Sequence, residues 1–338
     1  MPSSVGAVTD TIRWAIAGPG AIAGDFARAL PHARLGVLHA IAGRDAGRAE
    51  AFAAEHGASI IGTHAEIFAR DDVDAVYIAA VHTAHLDLAV AALEAGKAVL
   101  CEKPLTATTD DTERLLAAAE RTGMPLVEAF KYRFGPLPAR IRELIAGGAI
   151  GEVVELEATC GFAAGERTGR LFDPATAGGA ILDVGCYPVS LAVGVAAWSR
   201  QLRDTAVLAA DGVIGPTGVD ESATATLRLG GITAYVRTSI VEDLPDHARI
   251  VGTAGILELP DPWGSRTVSA SSVTLHGADG AVEEITADVV SPMAVEGDAV
   301  ALALREGRTQ APEMPWAETL EIAQLLDAWR AALPASRS

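Results

Sequence analysis

Short apolar runs alternate with longer amphipathic segments over roughly the first 130 residues of the chain. The apolar runs are bounded by Gly, Pro or Asp and are nearly continuous in hydrophobic character, which is typical of strands covered on both faces of a parallel sheet. We predict strands at Ile12–Ala17, Leu35–Ala42, Ala75–Ala80, Ala98–Cys101 and Leu126–Ala129. The segments between them predict helices at Ile22–Leu30, Ala46–His56, Leu86–Ala95 and Asp110–Arg121. This alternation predicts a doubly wound α/β domain with a parallel sheet over residues 11–129.

After Phe130 the pattern changes, because most of the predicted strands follow one another without helices between them. We predict helices at Leu137–Ala146 and Ala317–Ala332, and strands at Glu152–Thr159, Ala223–Leu229, Ile232–Ile240 and Thr267–Leu275. The strand at 223–229 alternates small or apolar residues with polar ones, as an antiparallel strand with two different faces does. Gly230-Gly231 forms the two-residue turn of a hairpin. Residues 130–335 are therefore predicted to form an α+β domain with an open, mainly antiparallel sheet.

Composition and charge narrow the classes of function. The chain has 338 residues, half of them hydrophobic and 21% charged, which describes a globular protein of two domains. Its 26 basic and 44 acidic side chains give a formal charge of −18, and a surface this acidic repels nucleic acid and anionic lipid. Three scattered cysteines form neither a disulfide framework nor a CxxC metal site. With no leader-like segment at 1–11 and no long apolar run, we expect a cytoplasmic protein.

The first predicted strand leads directly into Gly-Pro-Gly-Ala-Ile-Ala at positions 18–23, which open the next helix. In this G-x-G-x-x-A pattern Gly18 permits the tight turn, Gly20 lets the backbone approach a pyrophosphate, and Ala23 permits close helix–strand packing. The free N–H groups at the start of the helix would face the anion. A purely structural glycine turn is the alternative. The strand before it and the helix after it favour the dinucleotide site of a Rossmann domain.

The end of the second predicted strand bears on the choice between NAD and NADP. An acidic residue there would bind the ribose hydroxyls of NAD, whereas an arginine accommodates a 2′-phosphate. The strand ends at Gly43 and Arg44 follows, so the sequence favours NADP. In the alternative, Arg44 only stacks on the adenine while Asp45 caps the following helix, and NAD is then usable as well.

Glu102-Lys103-Pro104 follows a buried strand, at the edge where open α/β sheets bind ligands. An ammonium at that edge can lower the pKa of a neighbouring acid or hold an alcohol oxygen by a hydrogen bond. The alternative is an ordinary surface lysine in a loop. We therefore expect Lys103 to lie beside the nicotinamide pocket.

A second candidate lies at 178–188, which reads Gly-Gly-Ala-Ile-Leu-Asp-Val-Gly-Cys-Tyr-Pro. Asp183 and Tyr187 are four residues apart and would share a face of a helix, although Pro188 predicts a kink or a restart there. Gly185 between them leaves room for a neighbouring surface. A nearby ammonium that favours the phenolate would make Tyr187 a usable base. The alternative is a core tyrosine beside a capping aspartate.

Taken together, the motifs resemble the Gfo/Idh/MocA oxidoreductase family over essentially the full length of the chain. The matching segments are 18–23, 102–104, 128–134 with Pro136, 147–153, 178–187 and 312–320. Many sugar and inositol dehydrogenases of the family carry His where this chain has Tyr187. A tyrosine at that position resembles the branch of dimeric dihydrodiol dehydrogenase, NADP-dependent xylose dehydrogenase and glucose–fructose oxidoreductase. The resemblance implies Lys103 and Tyr187 as catalytic residues and Asp183 as their supporting acid.

The resemblance also implies the remaining site residues and a homodimer or homotetramer formed through the second-domain sheet. The predicted cofactor contacts are Gly18, Gly20, Ala21, Ile22, Arg44, Ala80, His82, His85, Glu102 and Lys103. The predicted substrate contacts are Arg133, Phe162, Arg170, Asp173, Asp183 and Tyr187, with Arg167 in a neighbouring cleft-facing segment. The family often has Asn-x-x-His where this chain has His82 and His85, so only His85 matches.

The sequence thus predicts an NADP-preferring dehydrogenase or reductase acting on a CH–OH group of a sugar, polyol or cyclic diol. A cofactor-binding sugar sensor on the same fold is the main alternative, because a fold does not fix a function. A third possibility is a tightly held nucleotide that cycles between two substrates. We predict no metal site, because no third ligand is spaced to join His82 and His85.

Overall fold

A computed structural model describes residues 11–264, 271–287 and 291–334 of the chain. Within this described part, the first sheet consists of the strands β1 (Ile12–Ala17), β2 (Gly36–Ala42), β3 (Ile60–Gly62), β4 (Ala75–Ile78), β5 (Ala98–Glu102) and β6 (Leu126–Ala129). Their order is β3-β2-β1-β4-β5-β6, and every neighbouring pair is parallel. The predicted doubly wound parallel sheet is confirmed.

The helices around this sheet are α1 (Ala21–Ala29), α2 (Ala46–His56), α3 (His64–Phe68), α4 (His85–Glu94) and α5 (Thr109–Thr122). The predictions for β1, β6 and α2 match to the residue, and the other elements predicted for this first domain differ at their ends by one or two residues. The pattern missed β3 and α3, which are too short to show a period. A local signal for α3 was present, since Thr63 and Glu66 form a capping box at its start.

The second sheet is built from longer strands. Among the described residues these are β7 (Val153–Ala163), β8 (Ala206–Ile214), β9 (Asp220–Leu229), β10 (Ile232–Ser239), β11 (Val241–Gly252), β12 (Gly255–Leu259), β13 (Ser271–Gly277) and β14 (Val282–Ala287). The order is β14-β13-β12-β11-β7-β10-β9-β8, and only the β7–β10 pair is parallel among these strands. The predicted α+β domain with a mainly antiparallel sheet is confirmed. Residues 267–270 of the predicted strand 267–275 lie outside the described residues.

The predicted glycine hairpin joins β9 to β10, where Leu229 pairs with Ile232 across Gly230 and Gly231. The remaining helices are α6 (Pro136–Ala146), α7 (Cys186–Trp198), α8 (Pro292–Arg305) and α9 (Trp316–Ala332). Helices α7 and α9 pack on the second sheet and on each other. Because strand residues alternate between faces, the buried side chains of β10 point to these helices and Tyr235 points to the opposite, uncovered face.

Helix α8 and the segment after it return to the first sheet, although the predicted boundary at 130 assigns them to the second domain. Helix α8 packs against α1, β2, β5 and β6. The Leu126 N–H of β6 donates to the Thr309 carbonyl at 2.9 Å, and the Trp316 indole donates to the Leu126 carbonyl at 2.9 Å. The edge of the parallel sheet is therefore closed by chain from the last part of the sequence.

One helical stretch of the described residues, Pro174–Trp198, is long and apolar enough to cross a membrane by those two measures. Of its most apolar window, 89% is buried inside the protein. Such burial marks the core helix of a globular domain, here α7 beneath the second sheet.

Candidate active site

A cavity of about 1170 Å³ lies at the carboxyl ends of β1 and β4 and extends to the second domain. These two strands are neighbours at the point where the order of the sheet reverses, which is where open α/β sheets bind ligands. Pockets for one small molecule usually measure about 300–1,000 Å³, so this cavity has room for a dinucleotide and a substrate together.

The glycine turn at one end of the cavity has the shape that a pyrophosphate needs. Gly18 has φ +91°, and a Cβ there would lie 2.9 Å from the Ala79 carbonyl oxygen. Gly20 stands before helix α1 without a side-chain cap, and a Cβ on it would meet no heavy atom nearer than 4.0 Å. The uncapped N–H groups of α1 and the space in front of Gly20 therefore fit a bound diphosphate.

Arg44, which we predict to favour NADP over NAD, lies at the edge of the cavity beyond the glycine turn. Arg44, Arg48 and His64 line the cavity together. Asp45 caps α2 by accepting the Arg48 N–H at 3.0 Å, which is the role that the sequence left open for it. Its carboxylate is thereby engaged in a helix cap. The guanidinium groups of this cluster supply the positive charge that a 2′-phosphate needs.

Lys103 is held at the opposite end of the cavity. Its Nζ donates to the Asp183 carbonyl oxygen at 2.6 Å and lies 4.9 Å from the centroid of the Tyr187 ring. The peptide bond between Lys103 and Pro104 is cis. The loop is fixed from β6, because the Leu105 N–H donates to Glu128 Oε1 at 2.8 Å. The ammonium is therefore directed at Tyr187 by contacts from both domains.

The segment with Asp183 and Tyr187 is helical but not one regular α-helix. Residues Ile181–Gly185 form a π-helical turn, and α7 begins at Cys186, so the expected four-residue spacing on one α-helix does not describe the pair. Pro188 sits in the first turn of α7 and causes no break there. A Cβ on Gly185 would lie 3.2 Å from both Thr238 and Trp329, so glycine allows the close packing that the sequence suggested.

Asp183 contacts Lys103 through its backbone carbonyl oxygen, whereas its carboxylate binds Arg170. Its Oδ1 accepts Arg170 Nη1 at 2.8 Å. Burial opposes ionisation of Asp183, but the charges of Lys103 and Arg170 outweigh it and hold the pKa of this carboxyl below its usual range. The carboxylate is thus charged and paired at the wall of the cavity.

Burial raises the pKa of Tyr187 above its usual value, although the charge of Lys103 acts in the opposite direction. For Lys103 burial opposes the charge, while Tyr187, Cys186 and Asp183 outweigh it and raise its pKa. The sequence predicts that Lys103 lowers the pKa of Tyr187, and its charge does act in that direction, but burial of the ring, which contacts Phe130 and Trp263, outweighs it. The phenol is therefore protonated at neutral pH.

The two histidines after β4 are bound to backbone carbonyl groups. His82 Nδ1 lies 3.0 Å from the Ala177 carbonyl oxygen of the second domain. Burial, with the charges of His85 and Lys103, lowers the pKa of His82 to about 3, so this ring is neutral. His85 bridges the Ala80 carbonyl and the Pro104 carbonyl, each at 3.1 Å. Within 11–264, 271–287 and 291–334 there is no group of three or more His, Cys, Asp or Glu that could hold a metal.

Most of the predicted site residues line the same cavity. These are Gly18, Gly20, Ala21, Ile22, Arg44, Ala80, His82, His85, Glu102, Lys103, Phe162, Arg170, Asp183 and Tyr187. Glu102 also accepts a hydrogen bond from the Tyr77 hydroxyl.

Two predicted substrate contacts, Arg133 and Asp173, lie outside the cavity wall. The Arg133 side chain is fully buried against α7 and α9, where it pairs with Glu318 and donates to the Ser190 carbonyl at 3.0 Å. Asp173 is exposed and accepts the Ala175 N–H at 2.9 Å as the cap of a short helix. Neither side chain lines the cavity, so the structure does not bring these two residues to the other predicted substrate contacts.

Arg167, from a segment that the resemblance also placed at the cleft, is likewise engaged elsewhere. It forms two hydrogen bonds with Glu221, at 2.6 and 3.0 Å.

Residues that the sequence analysis did not select complete the far end of the cavity. Trp263 lies 5.5 Å from Tyr187 between ring centroids, and its indole donates to the Thr159 carbonyl at 2.9 Å. Lys131 donates to the carbonyl oxygens of Trp263 and Gly264 and so fixes this loop. Lys131 belongs to the motif at 128–134, which could have identified it. Trp263 stands in a loop without periodicity and gave no such signal.

Comparison with known proteins assigns the chain to a family. The Gfo/Idh/MocA model described as "Oxidoreductase family, NAD-binding Rossmann fold" matches residues 12–130, and the model for the "GFO/IDH/MocA C-terminal domain" matches 139–258. A trans-1,2-dihydrobenzene-1,2-diol dehydrogenase of Xenopus tropicalis is 32% identical, over 93% of this chain and 96% of that protein. A D-xylose 1-dehydrogenase (NADP(+)) of Haloferax volcanii is 34% identical, over 86% and 87%.

Among solved structures, a 3-ketoreductase from Actinomadura kijaniata in complex with NADP and TDP-benzene superposes with a TM-score of 0.85. The two chains are 26% identical, and the match covers 96% of this chain and 99% of the other. The fold of this chain thus matches that of the 3-ketoreductase over nearly the whole of both chains. The chain belongs to the Gfo/Idh/MocA family of oxidoreductases.

Proposed function

We propose that this chain is an NADP-preferring oxidoreductase that transfers hydride between the nicotinamide and a CH–OH or ketone group of a sugar, polyol or cyclic diol. The observation that carries the proposal is the position of the Lys103 ammonium, 4.9 Å from the ring of Tyr187 at the end of a cavity that begins at the glycine turn. The names of the relatives support the cofactor and the substrate classes.

Tyr187 is the proton donor and acceptor of the proposed reaction. A bound nicotinamide would supply the hydride to the substrate carbon in reduction and accept it in oxidation. In reduction the Tyr187 hydroxyl gives its proton to the carbonyl oxygen, and in oxidation the phenolate takes the proton from the alcohol. The Lys103 ammonium stabilises the phenolate by its charge, and the phenolate is the product of proton donation in reduction and the starting form in oxidation.

Substrate recognition is proposed for the wall around Tyr187. Phe162 and Trp263 offer apolar ring faces, which suit the apolar face of a sugar or of a cyclic diol. Arg170 and Asp246 line the same end and supply a donor and an acceptor for hydroxyl groups. Arg170 is half-exposed while it pairs with Asp183, so its remaining N–H groups are available to a ligand.

The direct test is a scan of ketones, aldoses and cyclic diols with the purified protein and NADPH or NADP, followed at 340 nm. We expect turnover with at least one neutral substrate of these classes and a lower KM for the phosphorylated cofactor than for NAD. Tight NADPH binding without turnover of any of them would favour the sensor instead. Nucleotide that stays bound through dialysis would indicate a cofactor that cycles between two substrates.

The direction of the Tyr187 pKa shift predicts different pH profiles for the two directions of the reaction. The phenol is protonated below its pKa, so ketone reduction should stay nearly constant between about pH 6 and 9. The phenolate fraction rises about tenfold per pH unit in that range, and kcat/KM for alcohol oxidation should rise with it. Steady-state kinetics at saturating cofactor measures both. A reduction rate that falls steeply across this range would contradict Tyr187 as the acid.

We further propose that the uncovered face of the second sheet makes a contact between two copies of the chain. Tyr235 and Leu208 are 45% and 53% exposed on this sheet, and Val213 is 57% exposed. Exposed apolar side chains on a broad sheet face are typical of an interface between subunits. Light scattering should give the mass of a dimer or tetramer, and a monomer at micromolar concentration would contradict the proposal.

A further inference from the structure

The ends of β2 and β3 place His64 beside Arg44 and Arg48 at the edge of the cavity, and these three residues form a cluster. The Gly43 N–H after β2 donates to the Gly62 carbonyl at the end of β3, at 3.0 Å. This hydrogen bond fixes the two ends side by side, so Arg44 and His64 follow them at one edge of the sheet. Arg48 reaches the same place from α2, where its Nη2 donates to the Pro19 carbonyl at 3.2 Å.

The His64 ring contacts Phe68, with 5.9 Å between the ring centroids, but one of its nitrogens makes no hydrogen bond within the described residues. Its ring lines the cavity, and its Nε2 is buried without a hydrogen-bond partner within the described residues. Burying a polar nitrogen without a partner costs free energy, so such groups in native structures call for an explanation. A rotation of the ring about χ2 would turn this nitrogen from its buried position to the cavity, where a bound acceptor would supply the missing partner.

The positive groups near His64 that line the cavity are the guanidinium groups of Arg44 and Arg48. The charged side chains on the neighbouring segments are Arg44, Asp45, Arg48, Glu66 and Asp87. Asp45 is engaged as the cap of α2, and Glu66 accepts both the N–H and the hydroxyl of Thr63 at 2.8 Å. Asp87 lines the cavity on α4, next to the loop of His82 and His85.

We propose that His64 is a third ligand of the 2′-phosphate of NADP, beside Arg44 and Arg48, and that it takes up a proton when this phosphate binds. The inference rests on the proposed function, because it assumes NADP as the cofactor. A phosphate monoester carries nearly two negative charges above its second pKa of about 6, and it accepts hydrogen bonds best from charged donors. A histidine with its ordinary pKa near 6.5 is therefore the side chain that changes protonation most readily beside such a group.

The surroundings of His64 within the protein favour the neutral form of the ring. Burial, together with the positive charge of Arg44, lowers the pKa of His64. A bound dianion reverses the sign of the local charge and raises this pKa, so protonation and phosphate binding assist each other. Affinity for NADP should therefore fall as the pH rises through the pKa of the bound state, whereas affinity for NAD should not.

The test is isothermal titration calorimetry of NADP binding at about pH 7.5 in two buffers of different ionisation enthalpy, which counts the protons exchanged. We expect an uptake of about half a proton to one proton for the natural chain, and close to none for His64→Gln. His64→Gln should also weaken NADP binding about tenfold at pH 6.5 and less at pH 8.5, while NAD binding stays unchanged.

His32→Gln removes an exposed histidine that does not line the cavity and is the matched control, for which uptake should equal that of the natural chain. Equal uptake by His64→Gln and the natural chain would overturn the inference and leave the proposed function intact. No binding of NADP by the natural chain would contradict the proposed function instead.

Discussion

Tyr187→Phe is expected to lower the turnover number for ketone reduction at least about a hundredfold, because the substitution removes the hydroxyl that we propose as the proton donor. Phenylalanine keeps the ring, and with it the packing on Phe130 and Trp263 and the contact with the Lys103 ammonium. The variant should therefore fold and bind NADPH as the natural chain does. Stopped-flow kinetics measures the chemical step, and quenching of protein fluorescence measures cofactor affinity.

Tyr132→Phe provides a matched control for this experiment. Its ring lies 6.0 Å from that of Tyr187, and its hydroxyl hydrogen-bonds the Ser190 hydroxyl at 2.7 Å, away from the cavity wall. Loss of this hydroxyl should change turnover only a few-fold. If Tyr187→Phe retained most of its activity, or if Tyr132→Phe lost as much, the assignment of the proton donor would be wrong.

Lys103→Met should reduce turnover by about a hundredfold or more, and it should also change the pH profile. The Lys103 charge opposes the effect of burial on Tyr187, so its removal raises the pKa of the phenol further. The pH at which alcohol oxidation stops rising should then be higher in the variant, which a merely destabilised protein would not show. Kinetics in both directions, extended above about pH 9 to reach the end of the rising limb, measures the shift.

Lys97→Met controls for the loss of a buried ammonium. Lys97 is also buried, and its Nζ donates to the Arg70 carbonyl at 2.6 Å, the same kind of bond and the same length as that from Lys103 to Asp183. It lies outside the cavity wall. A comparable loss of thermal stability with normal turnover is expected for it. An unchanged oxidation profile in Lys103→Met would exclude a role for the ammonium in tuning Tyr187.

The sequence predicts the first domain well because its strands are covered on both faces and its helices are long. The runs that became β1 and β6 stand out from their polar surroundings, and the glycine turn at 18–23 marks the cofactor edge. The order of the second sheet could not be predicted, because β7 pairs with β10 and β11, which follow it only after about 70 residues or more. Local patterns carry no information on such pairings.

The residues of the candidate site likewise fall into those that the sequence could place and those that it could not. Lys103 and the glycines follow strands, so their position follows from the topology of the sheet. Arg133 was assigned to the wrong side because it belongs to a three-residue turn, Lys131–Arg133, whose first lysine faces the cavity while the arginine faces the core. A turn this short has no period from which its faces could be deduced. Trp263 enters from a loop that only the folded structure brings to Tyr187.

Residues Thr309 and Trp316 cover the outer edge of β6, and they are synthesised long after the strand itself. The parallel sheet has all six strands once residue 129 has left the ribosome, but its last edge then still exposes the N–H and carbonyl of Leu126 to solvent. An open strand edge is a template for pairing with other chains. Until almost the entire polypeptide has emerged, the nascent nucleotide-binding half therefore depends on its own solubility, or on a chaperone, to avoid aggregation.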